Sequence, residues 1–238
     1  MIELFRNTEA IIFDLDGTLY NKKKFVRRLL FRNIFDIFII KNERKTRKII
    51  KTKSFDTSEE YYCCFFEIFS NQFKNKKFTI YFLRKWYFNK YLPEFVKILK
   101  KHYQLRYGVN EIFELLYKKN IKLSVLSNYP FVVEKMQALG IESDKYEIQC
   151  FSSENFGALK PNVRPFLELA KILDVESKNI LVVGDKIETD GIGAINSNMK
   201  FLQIVDNKKY ITNQAITWEM FVDGVLKFCR IGIVGNTS

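Results

Sequence analysis

The stretch Ala10-Ile11-Ile12-Phe13-Asp14-Leu15-Asp16-Gly17-Thr18-Leu19-Tyr20 sets the reading of the whole chain. An apolar run of strand length ends in two carboxylates, a glycine and a hydroxyl, the pattern of a buried strand that delivers acids at its C-terminal tip. Open α/β sheets bind ligands beyond the carboxyl ends of their strands, so acids one residue past such a strand stand where chemistry is expected. In an extended segment residues i and i+2 point the same way, which lets Asp14 and Asp16 face one group. Asp, Gly and Thr are also ordinary turn residues. The choice between a turn and a site rests on what the other strand ends carry.

From Tyr107 onward, helices alternate with short apolar strands. The pattern predicts strands at 121–126, 147–151 and 179–183, with 201–205 as the last. Helices are expected at 110–119, at 131–139 (closed by Gly140), at 163–173 and up to about Ser197. A closing helix is expected at 218–228, and 232–238 reads as a fraying tail. Repeated alternation of this kind specifies an α/β fold, a doubly wound parallel sheet with helices on both faces. The strand ends carry Ser127 and Asn128, then Lys160 in a loop, then Asp185 and Asp190. Parallel strands present their C-terminal ends on one edge, so these groups can converge with Asp14 and Asp16. Like carboxylates brought together repel and raise one another's pKa, which a hard divalent cation relieves. An oxygen-only donor set with no paired His or Cys favours Mg²⁺. The single histidine, His102, stands beside Lys100 and Lys101, which argues against a histidine zinc site and against Ser-His-Asp hydrolysis.

Residues 21–105 have a different character. Apolar positions at Phe25, Val26, Leu29, Leu30, Ile34, Phe35 and Phe38 are spaced for helices. Thr57 and Glu60 have capping-box spacing for a second helix, a third is expected at 79–91, and Pro93 suits the first turn of a fourth. The Phe and Tyr stripes read as the core of this helical module. Between Asn21 and Tyr107 there are 23 Lys and Arg against 7 Asp and Glu, a net of +16, while the remainder holds 16 against 20, a net of −4. Such asymmetry suggests two modules: an α/β core of 1–20 with 106–238, and a helical module of 21–105.

At 238 residues and 47% hydrophobic the chain can bury a real core. It has no apolar run long enough to cross a bilayer and no signal-like start, which leads to an expectation of a cytoplasmic protein with no membrane partner. The four cysteines show no CxxC spacing and read as buried free thiols.

The set Asp14-Leu15-Asp16-Gly17-Thr18, Ser127-Asn128, Lys160-Pro161 and Gly184-Asp185 with Asp190, in that order, resembles the haloacid dehalogenase superfamily of phosphotransferases. The resemblance covers about 2–20 and 107–205, with the helical insertion where the family's first type of cap lies. It implies that Asp14 is the nucleophile, forming an aspartyl-phosphate, and that Asp16 is the acid and then the base. It implies that Ser127, with Asn128 and Thr18, serves the phosphate or orders its loop, and that Lys160 neutralises Asp14 and the phosphoryl oxygens. Asp14, the Asp16 carbonyl and Asp185 would hold Mg²⁺, and Asp190 would hold it or orient Lys160. The dehalogenase branch lacks an acid at the Asp16 position, so the resemblance favours phosphoryl transfer. Lys186 and Gly191 depart from the residue types usual beside Asp185 and Asp190.

These readings lead to a Mg²⁺-dependent phosphatase acting on a small phosphorylated metabolite. A phosphomutase is the alternative within the same chemistry. The non-enzyme alternative is a module that binds nucleic acid or another anionic partner through the basic insertion, although an A/T-biased coding sequence also enriches Lys, Asn, Ile, Phe and Tyr. The substrate and the oligomeric state are not encoded in any motif.

Overall fold

The computed structural model of the chain describes residues 2–231. The expected fraying tail at 232–238 lies outside the described residues. Strands β1 (Ala10–Phe13), β2 (Lys122–Ser127), β3 (Gln149–Ser152), β4 (Ile180–Gly184), β5 (Lys200–Ile204) and β6 (Ala215–Ile216) form one parallel sheet. Their order is β3-β2-β1-β4-β5-β6. β5 was expected to be the last strand, and β6 corrects this: two residues are too short to show a period, and only pairing with β5 makes them a strand.

β1 is apolar throughout because both of its faces are covered, as parallel sheets require. Ile11 and Phe13 join Val109, Phe113, Trp218 and Phe221 on one side, where the helices Val109–Lys118 and Trp218–Ile231 lie. Ala10 and Ile12 meet Phe166, Leu169 and Ala194 on the other, from the helices Arg164–Leu173 and Ile192–Asn196. Phe13 is in register with Val125 of β2 and Val183 of β4, so the three central strands end together.

The helical insertion comprises Phe25–Arg32, Ile37–Ile50, Ser58–Ser70, Ile80–Trp86 and Leu92–His102. It leaves and rejoins the core beside an antiparallel bridge between Tyr20 and Leu105. Thr57 caps its helix as expected, accepting a bond from the Glu60 N–H at 3.1 Å. Pro93 stands in the first turn of the fourth expected helix, Leu92–His102. Ile80–Trp86 runs into Leu92–His102 through one widened turn, Tyr87–Tyr91, because a proline offers no N–H to the preceding turn and its ring pushes that turn open. Tyr61, Phe65, Phe66, Phe69, Trp86, Tyr87 and Tyr91 form the expected aromatic core.

Ile34, Phe35 and Phe38 do not join that core: Phe35 is 96% exposed and Phe38 60%. The first helix stops at Asn33, a short 3₁₀ turn follows, and the inward position goes to Asp36, whose Oδ2 accepts from Trp86 Nε1 at 2.9 Å. All four cysteines are free, but only Cys229 is buried; Cys64 and Cys150 are half-buried and Cys63 is exposed, which corrects the expectation of buried thiols. Among the described residues no helix is long and apolar enough to cross a membrane.

Candidate active site

Asp14 is the first residue beyond β1, its N–H donating to the Val183 carbonyl at 2.9 Å, and its side chain is buried. Its Oδ1 accepts from Lys160 Nζ at 2.8 Å and its Oδ2 from Thr18 Oγ1 at 2.9 Å. Lys160 Nζ also donates to the Leu126 carbonyl at 2.8 Å and lies 2.6 Å from Asp190 Oδ1. Burial opposes the charge on this lysine, but Asp14 and Asp190 outweigh it and hold the pKa above the ordinary lysine range. One ammonium thus joins two buried carboxylates.

Asp190 follows β4 at the end of a widened turn, Ile187–Gly191. A side chain at Gly184 would strike it, since a Cβ there would sit 2.6 Å from both Asp190 Cβ and Cγ. Burial, and then the charges of Asp14 and Asp185, overcome Lys160 and hold Asp190 at about 6. Asp185 is also pushed up, by burial and then by Asp14, against the pull of Lys22. Carboxylate oxygens of Asp14, Asp185 and Asp190 lie within 4.8 Å of one another.

This donor set suits a hard divalent ion, and a cation of the chain itself stands at its edge. Lys22 Nζ donates to the Asp16 carbonyl at 2.6 Å and to Asp185 Oδ2. The four expected metal-binding positions therefore converge, with a lysine ammonium bridging two of them. Gly17, at φ 111°, leaves the room: a Cβ there would come within 2.5 Å of Lys22 Nζ.

Asp16 stands beside this cluster with a different electrostatic setting. Its Oδ1 accepts from Tyr20 OH at 2.6 Å; its Oδ2 accepts from Ser127 Oγ and from Lys135 Nζ, both at 2.9 Å. Burial acts upward, but Lys135 and the hydrogen bonds bring Asp16 down to about 2.

Of the remaining expected residues, Thr18 is buried against Asp14, Ser127 bonds Asp16, and Asn128 lines the cavity while its Oδ1 accepts the Lys160 N–H at 2.9 Å. Asn128 thus anchors the Lys160 loop. Four participants were not singled out in the sequence: Lys135, Lys22, Tyr20 and Arg47. Lys135 had a readable signal, since it lies on the apolar face formed by Val132, Met136 and Leu139, and it is fully buried. Arg47 had none. On the helix Ile37–Ile50 it bonds Glu43, Tyr87, Glu154 and the Asn128 carbonyl, tying the insertion to the core beside the site.

A cavity of about 590 Å³ opens between sheet edge and insertion, lined by Asp14, Asp16, Lys160, Asp185 and Asp190 from below and by Phe25, Leu29, Arg44, Lys48 and Phe95 from above. A more open groove of about 800 Å³ along Arg164–Leu173 has no member of the acid cluster in its walls.

Residues 11–204 match the family model of haloacid dehalogenase-like hydrolases. The chain belongs to this family. Glyceraldehyde 3-phosphate phosphatase of Methanothermobacter thermautotrophicus is 24% identical over 206 residues, covering 82% of this chain and 85% of the relative. The magnesium-bound HAD-hydrolase YfnB from Bacillus subtilis superposes with a TM-score of 0.61 at 15% identity, covering 92% of this chain and 99% of that one. β-Phosphoglucomutase from Clostridium difficile gives 0.58 at 18% identity, covering 93% and 98%. At these identities the two structures establish the shared haloacid dehalogenase-like fold.

Proposed function

We propose that the chain is a Mg²⁺-dependent phosphatase that hydrolyses a small phosphate monoester through an aspartyl-phosphate on Asp14. The observation that carries this is the meeting of the Asp14, Asp185 and Asp190 carboxylates within 4.8 Å, with Lys160 bonded to Asp14 and Asp16 bonded to a different cation, Lys135. The phosphatase name of the archaeal relative agrees with it.

Asp14, Asp185, Asp190 and the Asp16 carbonyl would hold Mg²⁺, which when bound supplies positive charge to the phosphoryl oxygens and offsets the clustered acids. Asp14 attacks phosphorus, with Thr18 and Lys160 fixing its two oxygens; as its bond to phosphorus forms the ester P–O bond breaks, and the departing alcohol oxygen takes a proton from Asp16. Lys160 balances charge as it builds on the phosphoryl group. Asp16 is ionised in the resting site, ready for the base half of the cycle, in which it takes a proton from the water that attacks the aspartyl-phosphate. For the acid half it needs a proton, and the approach of a phosphoryl dianion raises its pKa toward that state. Residues 21–105 act as a cap over this chemistry, closing the cavity against bulk water. A cytoplasmic setting is part of the same proposal.

Phosphate release from p-nitrophenyl phosphate and from small phosphate esters, with Mg²⁺, tests the reading. Activity is expected for the chain as it stands and a loss of at least about 10³-fold in Asp14→Asn with the fold retained. Undiminished release in that variant refutes the mechanism, and isomerised sugar phosphate in place of free phosphate would turn the assignment to a mutase.

A further inference from the structure

The cavity holds more positive charge than the chemistry at Asp14 uses. Within the floor, Lys160 answers Asp14 and Asp190, and Lys22 answers Asp185. The helix Ile37–Ile50 adds Arg44, Arg47 and Lys48, at i, i+3 and i+4, so all three share one face, and all three line the cavity. Arg47 is fully engaged with Glu43, Glu154, Tyr87 and the Asn128 carbonyl. Arg44, half-buried, and Lys48, exposed, are different: among the described residues neither makes an ion pair or a side-chain hydrogen bond.

Two unpaired cations one helical turn apart repel each other, and on the insertion's side of the cavity, where no carboxylate lines the wall, they draw an anion. Phe25, Val26, Leu29 and Phe95 form the adjoining apolar wall, which offers no competing carboxylate. The phosphoryl group itself is met on the floor by Lys160, so the pair on the insertion faces the other end of whatever the cavity encloses. We infer that the substrate is a small phosphate monoester whose far end carries a second anionic group, a carboxylate or a second phosphate, held by Arg44 and Lys48. This rests on the phosphatase reading of the Asp14 site.

The test uses the full chain with Mg²⁺ and three matched probes: ethyl phosphate with a neutral tail, 2-phosphoglycolate with a carboxylate tail, and ethylene glycol bisphosphate. kcat/KM for an anionic-tail probe should exceed that for ethyl phosphate by at least about tenfold, chiefly through KM. The Arg44→Gln, Lys48→Gln double variant, checked for an unchanged melting temperature, should bring that ratio close to one. The ranking of carboxylate against phosphate identifies the anion. A ratio near one in the unaltered chain, or a ratio that survives the double variant, overturns the inference. Calorimetric binding of the same probes gives the answer independently of turnover: a preference of at least about tenfold for the anionic tail supports it, and equal affinities sink it. Failure to hydrolyse any probe or p-nitrophenyl phosphate would refute the phosphatase reading, and binding would still decide the second-anion site.

Discussion

Asp190→Asn should stabilise the metal-free protein at neutral pH, and the size of the effect follows from the site. The Asp190 side chain is 2% exposed, so solvent does little to screen its charge. Burial and the Asp14 and Asp185 charges hold it at about 6, against 3.8 for an ordinary aspartate. A raised pKa means that the folded protein binds the proton more tightly than the unfolded chain does. The resulting stability is fully present below about pH 3.8 and is lost as pH rises through about 6. The whole loss is about 3 kcal/mol, of which about 2 kcal/mol falls between about pH 4.5 and about pH 7.5. For a chain of this size that amounts to about 4–8 °C in melting temperature.

Thermal melts in excess EDTA, at the two pH values, for the parent chain and Asp190→Asn would measure it. Glu43, which also has a raised pKa, is common to both proteins and cancels in the difference, while Asp185 responds to the Asp190 charge and contributes to the same difference. Asp16 titrates near 2, below the window. The parent should lose about 4–8 °C relative to the variant as pH rises, and Mg²⁺ should restore stability to the parent most strongly at the higher pH. Parallel pH profiles for the two proteins would refute the reasoning.

Lys22→Met removes the ammonium that bridges the Asp16 carbonyl and Asp185, so calorimetry should show Mg²⁺ binding tighter by on the order of tenfold; equal or weaker binding would mean that Lys22 does not compete for the site. Arg47→Met leaves Glu43 and Glu154 buried without their cation and should cost about 3–5 kcal/mol in denaturant unfolding, while a loss below about 1 kcal/mol would contradict the role given to this tie. Lys135→Met removes the buried cation from Asp16 and should lower kcat about 10–100-fold with Mg²⁺ affinity retained; an unchanged kcat would show that Asp16 does not depend on it.

Much of the fold was legible because its signals are local. β1, β2 and β4 are short apolar runs flanked by turn residues, and they occur as strands within a residue or two of where the pattern puts them. The capping threonine Thr57 announced its helix for the same reason. Pro93 marked the first turn of Leu92–His102, but the continuity with the helix before it depends on whether the preceding turn can widen against Trp86, Tyr87 and Tyr91. Phe35 misled because a helical period continues on paper through Asn33, where the backbone turns and exposes it.

The sequence by itself determined the order and chemical type of the strand-end groups: two acids, a serine, a lysine and two further acids. Together with a parallel α/β alternation, that is enough to imply one site, because parallel strands all end on one edge. Only the tertiary structure decided which charged partner each of those groups meets. Asp16 is pulled to about 2 by Lys135, eight residues beyond Ser127, while Asp190 is raised to about 6 by burial beside Asp14 and Asp185. It likewise placed Lys22 against Asp185 and left Arg44 and Lys48 unpaired across the cavity. The physical reason is that strand pattern is a property of neighbours in the chain, whereas charge, burial and ion pairing are properties of neighbours in space. The stretch from Asp14 to Thr18 belongs to both, being a strand tip in the sequence and, in the fold, two acids bonded to different lysines.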